Sequence, residues 1–499
     1  MPAAQRPNIL MIMTDQQRWD TLGCYGNEVI ETVNLDALAA DGTVFEHAYS
    51  PSPSCVPARA SLLTGMDPWH TGILGMGAGQ GPMETGFVST LPGVLADAGY
   101  HTQGVGKMHF YPQRSLNGFH HTVLDESGRV EDPNFVSDYR LWFEQNKTGP
   151  YDYVEHGIHW NSWMARPYHA PEYLHPTNWT VNESIAFLKR RDPRKPFFLK
   201  TSFARPHSPY DAPSFYFDLY ENKSLPGPFV GDWAHIHDKS YDAASPVAWR
   251  GVRKPEEIHR ARAGYYGLIH HIDHQIGRLI QYLQREGLYG NTMIVFLSDH
   301  GDMLGDHHLW RKTYGYEGSA HIPMIIKPPQ SFGKVKSRVG KPVTIQDVMP
   351  TILEFSGLAI PETVNGQSMK RLMQGENAAA EEWRTFVHGE HCACYSDEQE
   401  MHYLTDGQFK YIWFPRLHSE QLFDLSGDPG ECRDLAGRED ARPLLLQWRQ
   451  RLVQLLSERN VGLTNGTELV GQAGKPYVVS PHYKARVNAL TDKEAAEKT

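Results

Sequence analysis

Three short stretches hold residues whose types and spacing could do chemistry. The first is SPSPSCVPARASLLTG, where Cys55, Pro57 and Arg59 form Cys-x-Pro-x-Arg ahead of Leu63-Thr64-Gly65. Pro57 suits a first helical turn, where a missing N–H costs nothing. A thiol at a helix start, with a guanidinium four residues on, is electronically activated. The bland counterpart is a buried cysteine that only packs. The other two stretches are NILMIMTDQQ and MIVFLSDHGD, apolar runs that end in Asp15-Gln16 and Asp299-His300. Either aspartate alone reads as a cap on the turn that follows. As a pair behind two buried strands, with an imidazole beside one of them, they read as a site for a hard divalent cation.

These groups need a scaffold that brings distant strand ends together. Apolar runs with β-branched residues predict strands over 8–14, 43–47, 101–105, 196–202, 293–298 and 322–327. Helical spacing predicts helices over 34–40, 91–98, 260–285 and 346–355. This alternation predicts an α/β fold, with a large, mostly parallel sheet flanked by helices. Ligands bind such sheets at the carboxyl ends of the strands, so the residues just after them should converge.

Residues 113–179 break the pattern with Trp, Tyr, His, Asn and Pro, and read as a functional insertion. Near Gly375 the composition shifts again. HYLTDGQFKYIW predicts a hairpin with Asp406-Gly407 as its turn, and a helix follows from about Ala441 to Arg459. The expected organisation is a catalytic domain over 1–375, a smaller C-terminal α+β domain over 376–460 and an extended tail over 461–499. That tail should wrap the body or a neighbouring subunit, which makes a homo-oligomer a candidate.

The net charge of -10 argues against nucleic acid as a partner, because phosphate binding needs clustered Lys and Arg. Five cysteines in 499 residues are no disulfide framework, and Cys392 and Cys394 are spaced poorly for chelation. No apolar run approaches the roughly 18 residues that span a bilayer. The short run Ile9–Met13 lacks a signal-peptide core, so the expected location is the cytoplasm and no membrane partner is expected.

Cys-x-Pro-x-Arg followed by Leu-Thr-Gly resembles the signature of the type I sulfatases, in the alkaline phosphatase superfamily. The similarity runs from about residue 7 to 460. GVGKMHF, with Lys107 and His109, resembles the family's Gly-Lys-x-His element. ARPHSPY, with His207, resembles its substrate-facing histidine. LSDHGDMLGDHHLWRK, with Lys312, resembles its second metal segment, and LFDLSGDPGECRDLAG its Asp-Pro-x-Glu hallmark.

The resemblance implies an alkaline phosphatase-like fold and hydrolysis of an organic sulfate monoester, a sulfated carbohydrate or an aryl sulfate. It implies that a formylglycine-generating enzyme oxidises Cys55 during maturation. It implies one divalent metal, calcium first and manganese second, with Asp15, Gln16, residue 55, Asp299 and His300 as ligands. The hydrate of formylglycine would attack sulfur and later expel sulfate by elimination. Arg59 would hold the hydrate, Lys107 and Lys312 would neutralise sulfate oxygens, His207 or Lys312 would protonate the leaving alcohol, and His109 would be the base for elimination.

One departure stands out. Many family members carry Asp-Asp and Asp-Asn where this chain has Asp15-Gln16 and Asp299-His300, so Gln16 is either a weak ligand or a substrate contact. The Asp-His pair also resembles the phosphonate monoester hydrolases, which keeps a phosphonate monoester or phosphodiester hydrolase as the alternative. A non-catalytic binder of sulfated ligands is the reading from another class. His307, His308 and Arg311 are candidates for the pocket mouth. Asp302 and Asp306 should solvate or cap, and Arg114, His120 and His121 could contact substrate. Trp142, Tyr151, Tyr153, Trp160 and Trp163 could stack on a ring or anchor the insertion.

Overall fold

The computed structural model describes residues 6–76, 83–154, 157–239, 245–375 and 377–497. Its main sheet has eight strands: β1 (Asn8–Asp15), β2 (Thr43–Phe45), β3 (His101–Gly106), β4 (His121–Leu124), β5 (Phe197–Pro206), β6 (Thr292–Ser298), β7 (Met324–Lys327) and β8 (Arg338–Val339). Their order across the sheet is β4-β3-β5-β1-β6-β7-β2-β8. All neighbours are parallel except β7, which is antiparallel to both β6 and β2. The sheet is therefore mixed but mostly parallel, as the alternating pattern predicts.

Both faces of the central strands are covered, which explains why they read as unbroken apolar runs. Successive side chains point to opposite faces. Ile9, Met11 and Met13 of β1 join Met293, Val295 and Leu297 of β6 in one core. Leu10 and Ile12 join Ile294 and Phe296 in the other. The first core is closed by α2 (Cys55–Thr64), through Ala58, Leu62 and Leu63. The second holds α1 (Val33–Ala40) and the long helix α3 (Pro255–Arg285). Helix α2 thus lies on one face, with its first residue beside the carboxyl ends of β1 and β6.

The C-terminal part is an antiparallel sheet of β9 (Val387–His391), β10 (Met401–Thr405), β11 (Phe409–Phe414) and β12 (Ser419–Asp424). The turn between β10 and β11 passes through Gly407 at φ 90°, as the Asp-Gly pair predicts. Period-2 alternation again splits two cores. Leu404, Tyr411, Trp413 and Leu422 meet Leu445, Trp448 and Leu452 of α4 (Arg442–Ser457). Tyr403, Ile412 and Phe423 pack on Met303, Tyr314 and Tyr316 of the main body. The small sheet therefore buttresses the loop that carries Lys312. Glu431 of the Asp-Pro-x-Glu motif accepts the Glu317 amide at 2.7 Å, and Lys410 pairs with both glutamates.

Two segments are more regular than the sequence pattern predicts. The insertion over 113–179 includes edge strand β4 and a helix, Asp138–Asn146. The segment expected as an extended tail does fold back on the body, where Val479 pairs with Ile73 and Tyr483 accepts the Glu84 amide. Its end, however, is a helix, Pro481–Glu497. The helix is polar and has no clear apolar stripe, so periodicity cannot find it. Among the described residues no helix is long and apolar enough to cross a membrane.

Candidate active site

The site is assembled from chain ends. Asp15 is the last residue of β1, Asp299 and His300 follow β6, and Cys55 opens α2. Ser54 before it is extended, at φ -156°, and Gly65 ends the helix at φ 68°, where a Cβ would meet Val364 at 2.8 Å. Cys55 Sγ lies 3.3 Å from His300 Nε2 and 3.7 Å from an Asp15 oxygen. Lys107 and Lys312 flank the sulfur, their Nζ atoms at 3.6 and 3.5 Å. Arg59, one turn along α2, spans both carboxylates. Its Nε donates to Asp299 at 2.9 Å and its Nη2 to Asp15 at 3.0 Å, while Nη1 donates to the Lys107 carbonyl and to Ser202 Oγ. Lys107 also pairs with Asp15.

One ligand atom each from Asp15, Cys55, Asp299 and His300 lies within 4.8 Å of all the others, and all four residues are buried. His300 Nδ1 faces the Gly301 carbonyl at 2.9 Å, and its Nε2 points at Cys55. Burial pushes the imidazole towards neutrality, but Asp299 and the thiol outweigh it and hold the pKa above its ordinary value. The pocket thus draws positive charge to Nε2. Two carboxylates, an imidazole and the Cys55 position suit a divalent cation with oxygen and nitrogen ligands.

The balance of fixed charges also favours an anion. Arg59, Lys107 and Lys312 face only Asp15 and Asp299 within this cluster. Burial alone would raise Asp15, but Lys107 leads a set of cations that hold it well below the carboxylate range. Burial and Asp15 push the Cys55 thiol up, yet Lys107, Lys312 and His300 together bring it down to about 7. Lys312 Nζ also lies 2.7 Å from His207 Nε2. Burial and Lys312 hold His207 well below its ordinary pKa, so the ring is neutral and accepts from the ammonium. Its Nδ1 is placed by the Ser208 carbonyl at 2.7 Å. His109 is likewise kept neutral, by burial first and then by Arg129, against which its ring lies.

The structure therefore brings together Asp15, Cys55, Arg59, Lys107, His207, Asp299, His300 and Lys312. Gln16 is close but engaged otherwise. Its Oε1 accepts from Lys312 at 2.8 Å and its Nε2 donates to Asp302 at 2.6 Å. Gln16 Oε1 therefore positions Lys312 with one of its two lone pairs. His109 faces Arg129 and Glu131 at the edge of the cluster. Gln16, His109, Leu304, Arg311 and Thr313 all adopt left-handed backbone, the local strain expected where a site fixes loop geometry.

The surrounding candidates separate. Asp302 and Asp306 are buried rather than solvated. Asp302 accepts the Leu304 and Arg311 amides, and Asp306 pairs with Arg18 and Arg262. His307 packs against Trp233. Arg114 pairs with Asp138, His120 with Thr102 and His121 with Gln103. Trp163 is anchored by the Ser245 carbonyl, and Trp142 and Tyr151 pack in the insertion's own core. Tyr153 packs against that core as well and, with Trp160, lines a cavity of about 710 Å³, together with Asp125, Arg129, Glu131 and Arg205.

Several residues of the site escape a sequence reading. Glu126 accepts the amides of Met108 and His109, both at 2.9 Å, and also holds Arg129. His391, at the end of β9, reaches Ser54 Oγ at 2.7 Å. Cys394 is pushed up to about 11 by burial, against the pull of Lys312 and Arg311. The smaller sheet thus contributes to a site that the motifs place wholly in the larger part. No local pattern marks these residues, because they reach the site only through tertiary contacts.

Comparison with known proteins adds to this geometry. The sulfatase family model matches residues 7–358, and the N-sulphoglucosamine sulphohydrolase C-terminal model matches residues 305–458. An arylsulfatase of Clostridium perfringens is 42% identical over 490 residues, covering 95% of this chain and 98% of that protein. Two solved structures share the fold. The phosphonate monoester hydrolase of Agrobacterium radiobacter superposes with a TM-score of 0.73 at 23% identity, covering 94% of this chain and 100% of its own. A protein in complex with its substrate D-glucosamine-2-N,6-O-disulfate superposes with a TM-score of 0.71 at 22% identity, covering 91% and 98%.

Proposed function

The chain belongs to the sulfatase family and is a sulfuric ester hydrolase; on that premise we propose that it cleaves an aryl or saccharide sulfate monoester, with residue 55 as nucleophile after oxidation to formylglycine. Asp15, Asp299 and His300 would hold one divalent cation, calcium before manganese, which would polarise the sulfate group and the nucleophile when bound. The observation that carries this reading is the place of Cys55. It sits at the buried start of α2, between the candidate cation ligands and two lysines.

Formylglycine, as its hydrate, supplies two hydroxyls on one carbon, so one attacks sulfur and the other permits release of sulfate by elimination. The rest falls to the chain's own residues. Arg59 locks Asp15 and Asp299 in register and faces the nucleophile's negative charge. Lys107 and Lys312 stand on either side of residue 55, where they bind and neutralise sulfate oxygens as charge builds on them. The Lys312–His207 pair moves a proton to the departing alcohol oxygen, since Lys312 Nζ donates and His207 Nε2 accepts across 2.7 Å. His109, kept neutral beside Arg129 at the edge of the cluster, would be the base for the second hydroxyl once its ring turns from Arg129 to residue 55.

The name of the Clostridium relative supports an aryl sulfate as a working substrate. The test is the mass of the peptide holding residue 55, which falls by about 18 daltons on conversion of cysteine to formylglycine, together with rates on an aryl sulfate and a matched aryl phosphonate monoester. The expected result is the mass shift, faster sulfate cleavage, and loss of activity on chelation that calcium restores. Faster phosphonate cleavage would move the assignment to the phosphonate hydrolases of the same fold.

A further inference from the structure

Beside the sulfate site lies the cavity of about 710 Å³, within the roughly 300–1,000 Å³ of small-molecule pockets. Two bridges tie it to the chemistry. On one side His109, in the Lys107-Met108-His109 turn, lies against Arg129 of the cavity wall. On the other, the residue after His207, Ser208, donates to the Trp160 carbonyl at 2.9 Å, and Trp160 and Pro209 are both wall residues.

The wall carries polarity that the protein does not use. Asp125 is 2% exposed. One carboxylate oxygen accepts the Ser127 amide at 3.0 Å, and the other, Oδ2, has no hydrogen-bond partner among the described residues. Ser127 Oγ and Arg129 Nε are unpartnered in the same way, although Arg129 spends its terminal nitrogens on His109 and Glu126. A buried carboxylate oxygen without a donor is costly and calls for one. Arg205 lends Asp125 its charge but no hydrogen bond, its Nε and Nη2 being committed to Asp211 at 2.7 and 2.9 Å. Glu131, half-buried, adds a second acceptor, and the Trp160 ring adds an apolar face.

An acceptor carboxylate, a guanidinium N–H, a hydroxyl and an indole are what a ring rich in hydroxyls needs. Its O–H groups donate to carboxylates and accept from guanidinium, and its C–H face covers the indole. A flat aryl group would leave these polar atoms unmet, and a second anionic group would face Asp125 and Glu131 while Arg129 and Arg205 are engaged by Glu126 and Asp211. We propose that the cavity takes the alcohol half of the substrate as a pyranose-sized, hydroxyl-bearing ring that is uncharged apart from its sulfate, with Asp125 as the specificity-determining residue. This rests on the sulfatase reading and narrows its substrate to a monosaccharide sulfate.

The experiment compares the wild-type enzyme with Asp125→Asn and Trp160→Ala on galactose 6-sulfate, N-acetylglucosamine 6-sulfate and 4-nitrophenyl sulfate. Asp125→Asn is expected to lower kcat/KM on the better sugar sulfate by about 10-fold or more, mainly through KM, with 4-nitrophenyl sulfate within about 2-fold. Trp160→Ala should show the same preference for damaging the sugar substrate. An equal fall on sugar and aryl substrates, or no fall on either, would overturn the proposal. Calorimetric binding of the same sugar sulfates to Cys55→Ala protein, with and without Asp125→Asn, reads the cavity without turnover. Absence of sulfate ester hydrolysis by the wild-type enzyme, with Asp125-dependent sugar binding, would break the sulfatase mechanism and keep the cavity assignment. Binding of 4-nitrophenyl sulfate with no binding of either sugar sulfate would do the reverse.

Discussion

Two regions of this molecule bury titratable groups in similar density, and they solve the problem in opposite ways. The strand-end cluster sets Asp15 and Asp299 in direct ion pairs with Arg59 and Lys107, and His300 and Lys312 close around Cys55 beside them. Helix α3 carries His270-His271-Ile272-Asp273-His274, a run at least as rich in ligating residue types as Asp299-His300-Gly301-Asp302. There two of the imidazoles, His270 and His271, are neutral. Burial, with His274 nearby, brings His270 down to about 4 and His271 to about 3. His270 pairs with His274 at 3.1 Å and with the Tyr220 hydroxyl, and His271 packs on the rings of Tyr216 and His175. Asp273 accepts the Asn34 and Leu35 amides and so caps α1. Ligating residue types alone therefore do not mark a site. Retained charge, drawn from several strand ends to one point, does.

The comparison can be broken at its strongest point first. Cys55→Ala should cut turnover by about 10⁴-fold or more, with an unfolding midpoint close to that of the wild type. Full activity in that variant would end the mechanism. Arg59→Met comes next. It leaves Asp15 and Asp299 without their shared guanidinium, and denaturant unfolding should show a loss of about 3–5 kcal/mol, as for other broken buried pairs. A neutral outcome would mean that the lysines alone compensate the carboxylates.

Lys312→Ala should lower kcat by about 10²–10³-fold, as loss of a transition-state donor does. His271→Phe, in the helical cluster, should leave steady-state rates within about 2-fold. A large catalytic effect at His271 would erase the distinction between the regions.

The smallest effect is on stability and has a definite sign. His271 has a folded pKa below its unfolded one, so it stays neutral while the unfolded chain takes up a proton. Stability is then lost as pH falls from about 6.5 towards 3, by about 2 kcal/mol between pH 6.5 and 5 for this one group. His271→Phe should flatten that slope in a pH series of unfolding midpoints. An unchanged slope would show that His271 is not held neutral.

Much of the fold is legible in the chain because fully buried strands leave unbroken apolar runs. Met293–Ser298 and Asn8–Thr14 declare themselves, and the residues after them follow. The direction of β7 is not legible. A four-residue apolar strand carries no sign of whether it runs with or against its neighbours, and the loop over 299–323 decides it. The terminal helix is hidden because it lacks an apolar stripe. Trp142, Tyr151, Tyr153, Trp160 and Trp163 look equivalent as letters. Only packing separates the anchors Trp142, Tyr151 and Trp163 from Trp160 on the cavity wall, and gives Tyr153 a part in both.

The sequence by itself marked Cys55 at its helix start, the two acidic strand ends and the family, because each lies in a contiguous run whose local chemistry is self-contained. Tertiary structure alone decided the rest. It set Lys312 against Gln16 and His207, Glu126 under the His109 turn, His391 against Ser54, and Asp125 in a cavity with an unmet oxygen. These pairings join residues as many as 337 positions apart. What fixes them is the register of strands and the packing of one sheet on another, which no local spacing encodes.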